Sequence, residues 1–208
     1  MELILITLDC VRRNCQTNIK MITLKKDEKR LISFELLKSE KLEVVLAGEN
    51  SSVEVVGLVL GKGTDEKSLE AYITHAAPNT KSNVNVRSVL RDRSTFAFRG
   101  NVKIEKGAKG ADAYLRSDTL LFDDAKMGDD TPALEIDEQE VKAGHAATIG
   151  KVDEQMIFYL MSRGLSRDQS ERMIIDGFIE PIRDVIARSE ATKQSDKRDR
   201  FASARDDN

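Results

Sequence analysis

Two histidines, two cysteines and a run of carboxylates are the side chains of this 208-residue chain suited to metal or acid–base chemistry. His145 lies in VKAGHAATIG, Val141 to Gly150, between a strand pattern and a helix pattern. An imidazole there can ligate iron through one nitrogen while a neighbour orients the other. It can equally pack or hydrogen-bond at the junction. His75 stands in the turn HAAPNTKS, where a hydrogen bond across the turn to Thr80 or Ser82 gives it a structural role. Cys10 and Cys15 form a C-x4-C pair, and thiolates are the usual iron–sulfur ligands. A second subunit would have to complete such a site, and a pair of reduced thiols in an N-terminal strand and turn is the simpler account. Glu135, Asp137, Glu138 and Glu140 sit at strand ends and in a turn, where solvent exposure explains them better than catalysis. In Gly57-Leu-Val-Leu-Gly-Lys-Gly63 three residues separate the first two glycines, and Gly63 replaces the Ser or Thr of a phosphate loop. We read a strand ending in a glycine turn, and no nucleotide site.

The elements that position these residues follow from periodicity. Short, mostly alternating strands are expected at Val53–Val55, Leu69–Thr74, Val84–Val86, Phe96–Phe98, Val102–Ile104, Leu120–Phe122 and Leu134–Ile136. Turn formers separate them: Gly61-Lys62-Gly63, Pro78-Asn79, Gly100-Asn101, Gly107, Gly110, Asp123-Asp124, Gly128 and Pro132. Such spacing fits a sandwich, a barrel or a solenoid, and the pattern alone does not choose. Asp153 is placed to cap a helix running to Arg163, with Met156, Ile157, Leu160 and Met161 as its apolar stripe and Gly164 ending it. Ser166 and Gln169 form a capping box for a second helix with Met173, Ile174, Phe178, Ile182 and Val185 inward. Pro181 should bend or break it between Gly177 and Glu180.

Composition excludes more than it identifies. Charged residues make up 33% and hydrophobic residues 40%, with a net charge of −3. The pI near 5.6 disfavours nucleic acid or an anionic membrane as partner. No apolar run approaches the ~20 residues a spanning helix needs. The N-terminal MELILI begins with an acid, lacks a basic flank and is too short for a signal peptide, so a cytoplasmic location is expected. The chain has no tryptophan and only three tyrosines, which argues against a carbohydrate-active β-helix enzyme.

Residues from Pro132 to Ile179 carry a closer likeness. The strand end LEI, the VK-x-x-H-x-A-T-x-G segment, the DEQ-x-x-FYL-x-SRG-L helix (Asp153 to Leu165) and the MII-x-GF helix (Met173 to Phe178) together resemble the C-terminal part of the SufB/SufD family of SUF iron–sulfur cluster assembly scaffolds. The HAAPNTKS turn and residues 87–122 look like the family's preceding strands, so the likeness covers roughly residues 40–186. The helical N-terminal region usual in the family has no counterpart here.

The resemblance implies a right-handed parallel β-helix capped by two or three α-helices, with the core over residues 21–150 and the helical region over 151–186. Residues 1–20 are expected to be an extension or extra strand, and 187–208 a disordered tail. It further implies that a SufC-type ATPase docks on the helical region, with Tyr159, Arg163, Met173, Ile174 and Phe178 as candidates. His145 matches a histidine implicated in cluster assembly where two scaffold chains meet. Ser117 and Ala143 stand where family members carry cysteine, and Gly144 and Ala146 replace acidic neighbours, so the chain is more SufD-like than SufB-like. The expected function is a non-enzymatic scaffold subunit that pairs with a SufB-like chain or with itself and shares a transient cluster with that partner. The alternative is an interaction or regulatory paralogue that has lost cluster binding.

Overall fold

In a computed structural model the described residues are 18–203, so Cys10 and Cys15 lie outside them. Ten strands wind into two five-stranded parallel sheets: β1 (Asn18–Leu24), β3 (Glu40–Leu46), β5 (Glu66–His75), β7 (Thr95–Ile104) and β9 (Lys126–Ile136) form one. The other orders β10 (Lys142–Lys151), β8 (Asp112–Leu121), β6 (Lys81–Leu90), β4 (Ser52–Gly61) and β2 (Lys29–Leu36). Each coil gives one strand to each sheet, which makes a parallel β-solenoid of the kind the family resemblance implied. Parallel pairing holds register, so like positions stack into columns such as Ile32–Val55–Val84–Leu115 and Val44–Ile73–Val102–Leu134. Alternation places these side chains between the sheets, and all but half-buried Leu134 are closed to solvent. Burying each contributes about 1.5–3 kcal/mol.

The columns also explain the glycine-rich stretch. Gly57 faces Phe34 inside the core, and a Cβ there would stand 2.9 Å from the ring. β4 runs on to Gly61, and the next element is a strand, not the helix a phosphate loop would require. At that corner of the solenoid Gly63, Asp92 and Asp123 all have positive φ. They form a ladder: the Gly63 amide donates to Asp92 Oδ2 (2.7 Å) and the Asp92 amide to Asp123 Oδ2 (3.1 Å).

Two helices follow. Asp153 caps α1 (Glu154–Ser162) by accepting from the Gln155 amide at 2.8 Å. Gly164 takes φ +96 beyond its end, as the sequence predicted. α2 (Arg167–Ser203) begins with the expected box, Ser166 and Gln169 exchanging side chain-to-amide bonds at 2.8 and 3.2 Å.

Four expectations are corrected here. The helices do not cap the end of the solenoid; α2 lies along the outer face of the second sheet, where Ile179 and Ile182 pack with Val56, Leu58, Val89 and Phe122. The reason is visible in Val55-Val56, Leu58-Val59 and Val89-Leu90. These pairs break alternation and make β4 and β6 apolar on both faces. The inward face of α2 is therefore Ile175, Phe178, Ile179, Ile182, Val185 and Ile186, and Met173 is exposed. On α1 only Ile157 is buried, and Met156 and Met161 face solvent. Pro181 lies inside α2 without ending it, and α2 runs to Ser203. Residues 187–203 contain no Gly or Pro and many Ala, Lys and Arg, whose propensity extends a helix without an apolar stripe. No helix among the described residues is long and apolar enough to cross a membrane.

Candidate functional site

Leaving the last coil uncovered defines the site. β9 and β10 are the end strands of their sheets, so each presents a row of backbone donors and acceptors without a neighbouring strand. Between them the interior opens: Met127, Leu134 and Ala143 are half-buried against the core, and Ile136 and Ile149 are exposed. His145 pairs with Leu115, a core residue, so it belongs to the inward face at this mouth, exposed to solvent. Ala147 pairs with Ser117, whose hydroxyl is fully buried one coil below. The structure thus brings His145, Ser117 and Ala143 to one opening, as three inward positions of β8 and β10.

His75 belongs elsewhere. Its Nδ1 lies 2.8 Å from the Thr80 hydroxyl and its Nε2 2.8 Å from that of Ser82, with the ring wholly buried. Both partners named from sequence are engaged at once. Burial pushes its pKa down to about 4, against a smaller upward pull from Asp112. The imidazole is neutral and structural. The carboxylates near the end of β9 also have local partners: Glu135 accepts from Asn101 (2.7 Å), Glu138 from the Gly107 amide (2.9 Å) and Glu140 from Lys109 (3.1 Å). No cluster of three or more His, Cys, Asp or Glu side chains is present among the described residues.

The second feature is the helical hairpin. Phe158 is 73% exposed and Tyr159 54%, with Met156, Met161 and Met173 also open to solvent. Arg163 is exposed and its guanidinium stands 5.1 Å from the centre of the Tyr159 ring. Ile174 is half-buried, while Phe178 packs on the sheet and is not part of this face. Phe158, Met156 and Met161 were missed as surface residues because a helical stripe reads as core when nothing says which side faces the body. The hairpin is held by ions: Arg167 binds Glu154 (2.7 Å) and Glu171 (2.9 Å), and Glu171 also takes Arg91 from the end of the β6 corner.

This geometry defines a class: a parallel β-solenoid with an open last coil and an apolar helical hairpin at its side. A family model described as SUF system FeS cluster assembly, SufBD core domain, matches residues 30–178. An iron–sulfur cluster assembly SufBD family protein of Mycobacterium tuberculosis is 39% identical over 139 residues, 67% of this chain and 16% of that protein. The iron–sulfur cluster assembly protein SufD of Bacillus subtilis is 35% identical over 137 residues, 66% of this chain and 31% of its own length. A SufBD family protein of Staphylococcus aureus is 34% identical over 137 residues. The chain belongs to the SufBD family, and its match spans a third or less of these relatives.

Proposed function

We propose that this chain is a scaffold subunit in SUF-type iron–sulfur cluster assembly, acting in the cytoplasm without catalytic turnover of its own. The observation that carries this is the pairing, in a SufBD family chain, of an open last coil with an exposed apolar hairpin. The edges of β9 and β10 offer main-chain pairing to a second solenoid, either a SufB-like chain or another copy of this one. Phe158, Tyr159, Arg163 and Met173 offer the aromatic, arginine and methionine surface that anchors protein contacts, here to a SufC-type ABC ATPase. Nucleotide chemistry falls to that partner.

The cluster is cargo, and the described residues offer no thiolate to hold it. Between Asn18 and Ser203 there is no cysteine, and Ser117 and Ala143 occupy the positions where thiolates would serve. A transient cluster at the mouth takes its thiolates from the partner, with His145 as this chain's ligand. The same lack of thiolates favours a second reading, a non-catalytic interaction or regulatory paralogue that pairs without cluster binding. Anaerobic co-purification with the SufC-type ATPase of the same organism, with iron and sulfide measured, separates them. ATPase binding with iron that is lost in His145→Ala supports the scaffold. Binding without iron supports the paralogue, and no binding overturns both.

A further inference from the structure

The exposed face of α1 rests on little packing. Ile157 is the helix's one buried side chain, while Phe158 and Tyr159 point to solvent. Only Val152 and Asp153 separate α1 from the open edge strand β10, and the Val152 amide continues that sheet by donating to the Leu121 carbonyl at 2.9 Å. At its other end the chain turns through Gly164 at φ +96, where a Cβ would meet nothing within 4 Å. Two short links and one apolar side chain leave the direction of a nine-residue helix weakly determined.

A line of four charges supplies what packing does not. Arg167 opens α2 and holds Glu154, the first residue of α1, with both arms of its guanidinium: Nη1 to Oε2 at 3.0 Å and Nη2 to Oε1 at 2.7 Å. This bond keeps the Glu154 carboxyl below its usual range. The Arg167 Nε donates to Glu171 Oε1 at 2.9 Å, one turn along α2, and Glu171 Oε2 accepts from Arg91 in the corner after β6. Arg91 is itself fixed there, 5.1 Å from the centre of the Phe122 ring, with its carbonyl accepting from the Ser94 amide at 3.1 Å and hydroxyl at 2.7 Å. Arg167 and Glu154 are exposed, and an isolated pair of that kind contributes little. Glu171 is different. It is only 7% exposed, and a buried carboxylate shared by two guanidiniums is costly to leave half-paired. Glu154 stands one turn before Phe158, so the line ends at the foot of the exposed face.

We propose that Glu171 is the positioning residue of the partner face: by holding Arg91 of the solenoid and Arg167 of the hairpin together, it sets the angle at which Phe158 and Tyr159 are presented to the ATPase. This rests on the docking of the ATPase at the hairpin and deepens it. A carboxylate closed to solvent does not touch the partner, so it acts on binding only through the orientation of α1.

The test uses the full chain with Cys10→Ser and Cys15→Ser, and nitroxide labels on Ser162→Cys in α1 and Asn83→Cys in β6, both exposed positions. Pulsed electron paramagnetic resonance should give one narrow distance in this parent and a broad distribution once Glu171→Gln is added. Capture of the ATPase by Glu171→Gln should weaken at least tenfold, which corresponds to a competent orientation held by about one molecule in ten. Arg167→Lys keeps the charge but cannot fork, and should lie between the two. Should Glu171→Gln fold poorly, Arg167→Met cuts the same line at an exposed side chain and should broaden the distances alike. An unchanged distribution in both variants, or a broadened one with capture equal to the parent's, overturns the proposal. If the parent itself captures no ATPase, the docking function falls, and loss of the narrow distance in Glu171→Gln would still assign the orientation of α1 to this residue.

Discussion

Arg87 on β6 donates from its guanidinium to the main-chain carbonyl of Phe178 and stands 5.3 Å from the centre of that ring. Pro181 leaves the neighbouring Gly177 carbonyl without its usual helical amide, so this is where α2 is weakest. The strand supplies a charged donor at that turn, and Ile179 and Ile182 seat the helix on the sheet beside it. This contact and the apolar seating fasten α2 to the second sheet beside the proline.

Arg87→Met keeps much of the aliphatic stem and removes the donor. A loss of about 0.5–1.5 kcal/mol is expected from removing one hydrogen bond between strand and helix. Hydrogen exchange should show protection falling over residues 175–186 while the strands of the solenoid keep theirs. Unchanged protection in that segment would mean the apolar contacts alone hold the helix.

His75 sets an acid limit on the fold. Its pKa falls from 6.5 to about 4 on folding, so between those values the unfolded chain binds the proton and the native chain does not. Its contribution is complete above about pH 6.5 and is lost as pH falls toward 4, amounting to about 3 kcal/mol at most. Urea unfolding midpoints measured from pH 7 to 4 should drop, and His75→Gln should flatten that part of the profile. The substitution should also lower stability at pH 7, since it disturbs the bonds to Thr80 and Ser82.

Glu40 acts in the opposite sense. Burial raises its carboxyl from 4.5 to about 7, against a smaller pull from Lys20, and one of its oxygens is buried without a hydrogen bond. The native state keeps a proton that the unfolded chain has already released, so stability declines as pH rises from 4.5 through 7. Glu40→Gln should remove this decline and be more stable than the parent at pH 8, by about 1–3 kcal/mol. A Tm at pH 8 no higher than the parent's would contradict that assignment.

The hairpin face should separate binding from folding. Phe158→Asp and Tyr159→Ser alter exposed side chains and should change unfolding free energy by no more than about 0.5 kcal/mol. Each should weaken capture of the SufC-type ATPase at least tenfold if this face is the dock. Phe178→Ala makes a useful contrast, since its ring packs within the molecule and its loss should appear in stability.

Local chemistry was legible in the sequence wherever the partners are near in the chain. Asp153 as a cap, the Ser166–Gln169 box, Gly164 beyond α1 and the His75 bonds to Thr80 and Ser82 all involve residues within a few positions of each other. Alternation likewise marked strands at Val53–Val55, Val84–Val86 and Val102–Ile104, because a strand's period of two is a local property. The likeness spread from Thr74 to Phe178 carried the solenoid and the family.

What the chain could not announce depends on distant neighbours. Met173 and Ile182 look alike on a helical wheel, and only the docking of α2 onto Val56, Leu58 and Val89 makes one exposed and the other buried. Pro181 reads as a breaker, yet α2 runs through it while Ile179 and Ile182 pack on the second sheet beside it. Asp130 faces inward only through the bulge of β9 against β7, which nothing local in the sequence marks. Sequence periodicity determines which faces of an element are apolar. Which face finds a partner is a property of the folded whole, because burial is set by whatever the rest of the chain brings against it.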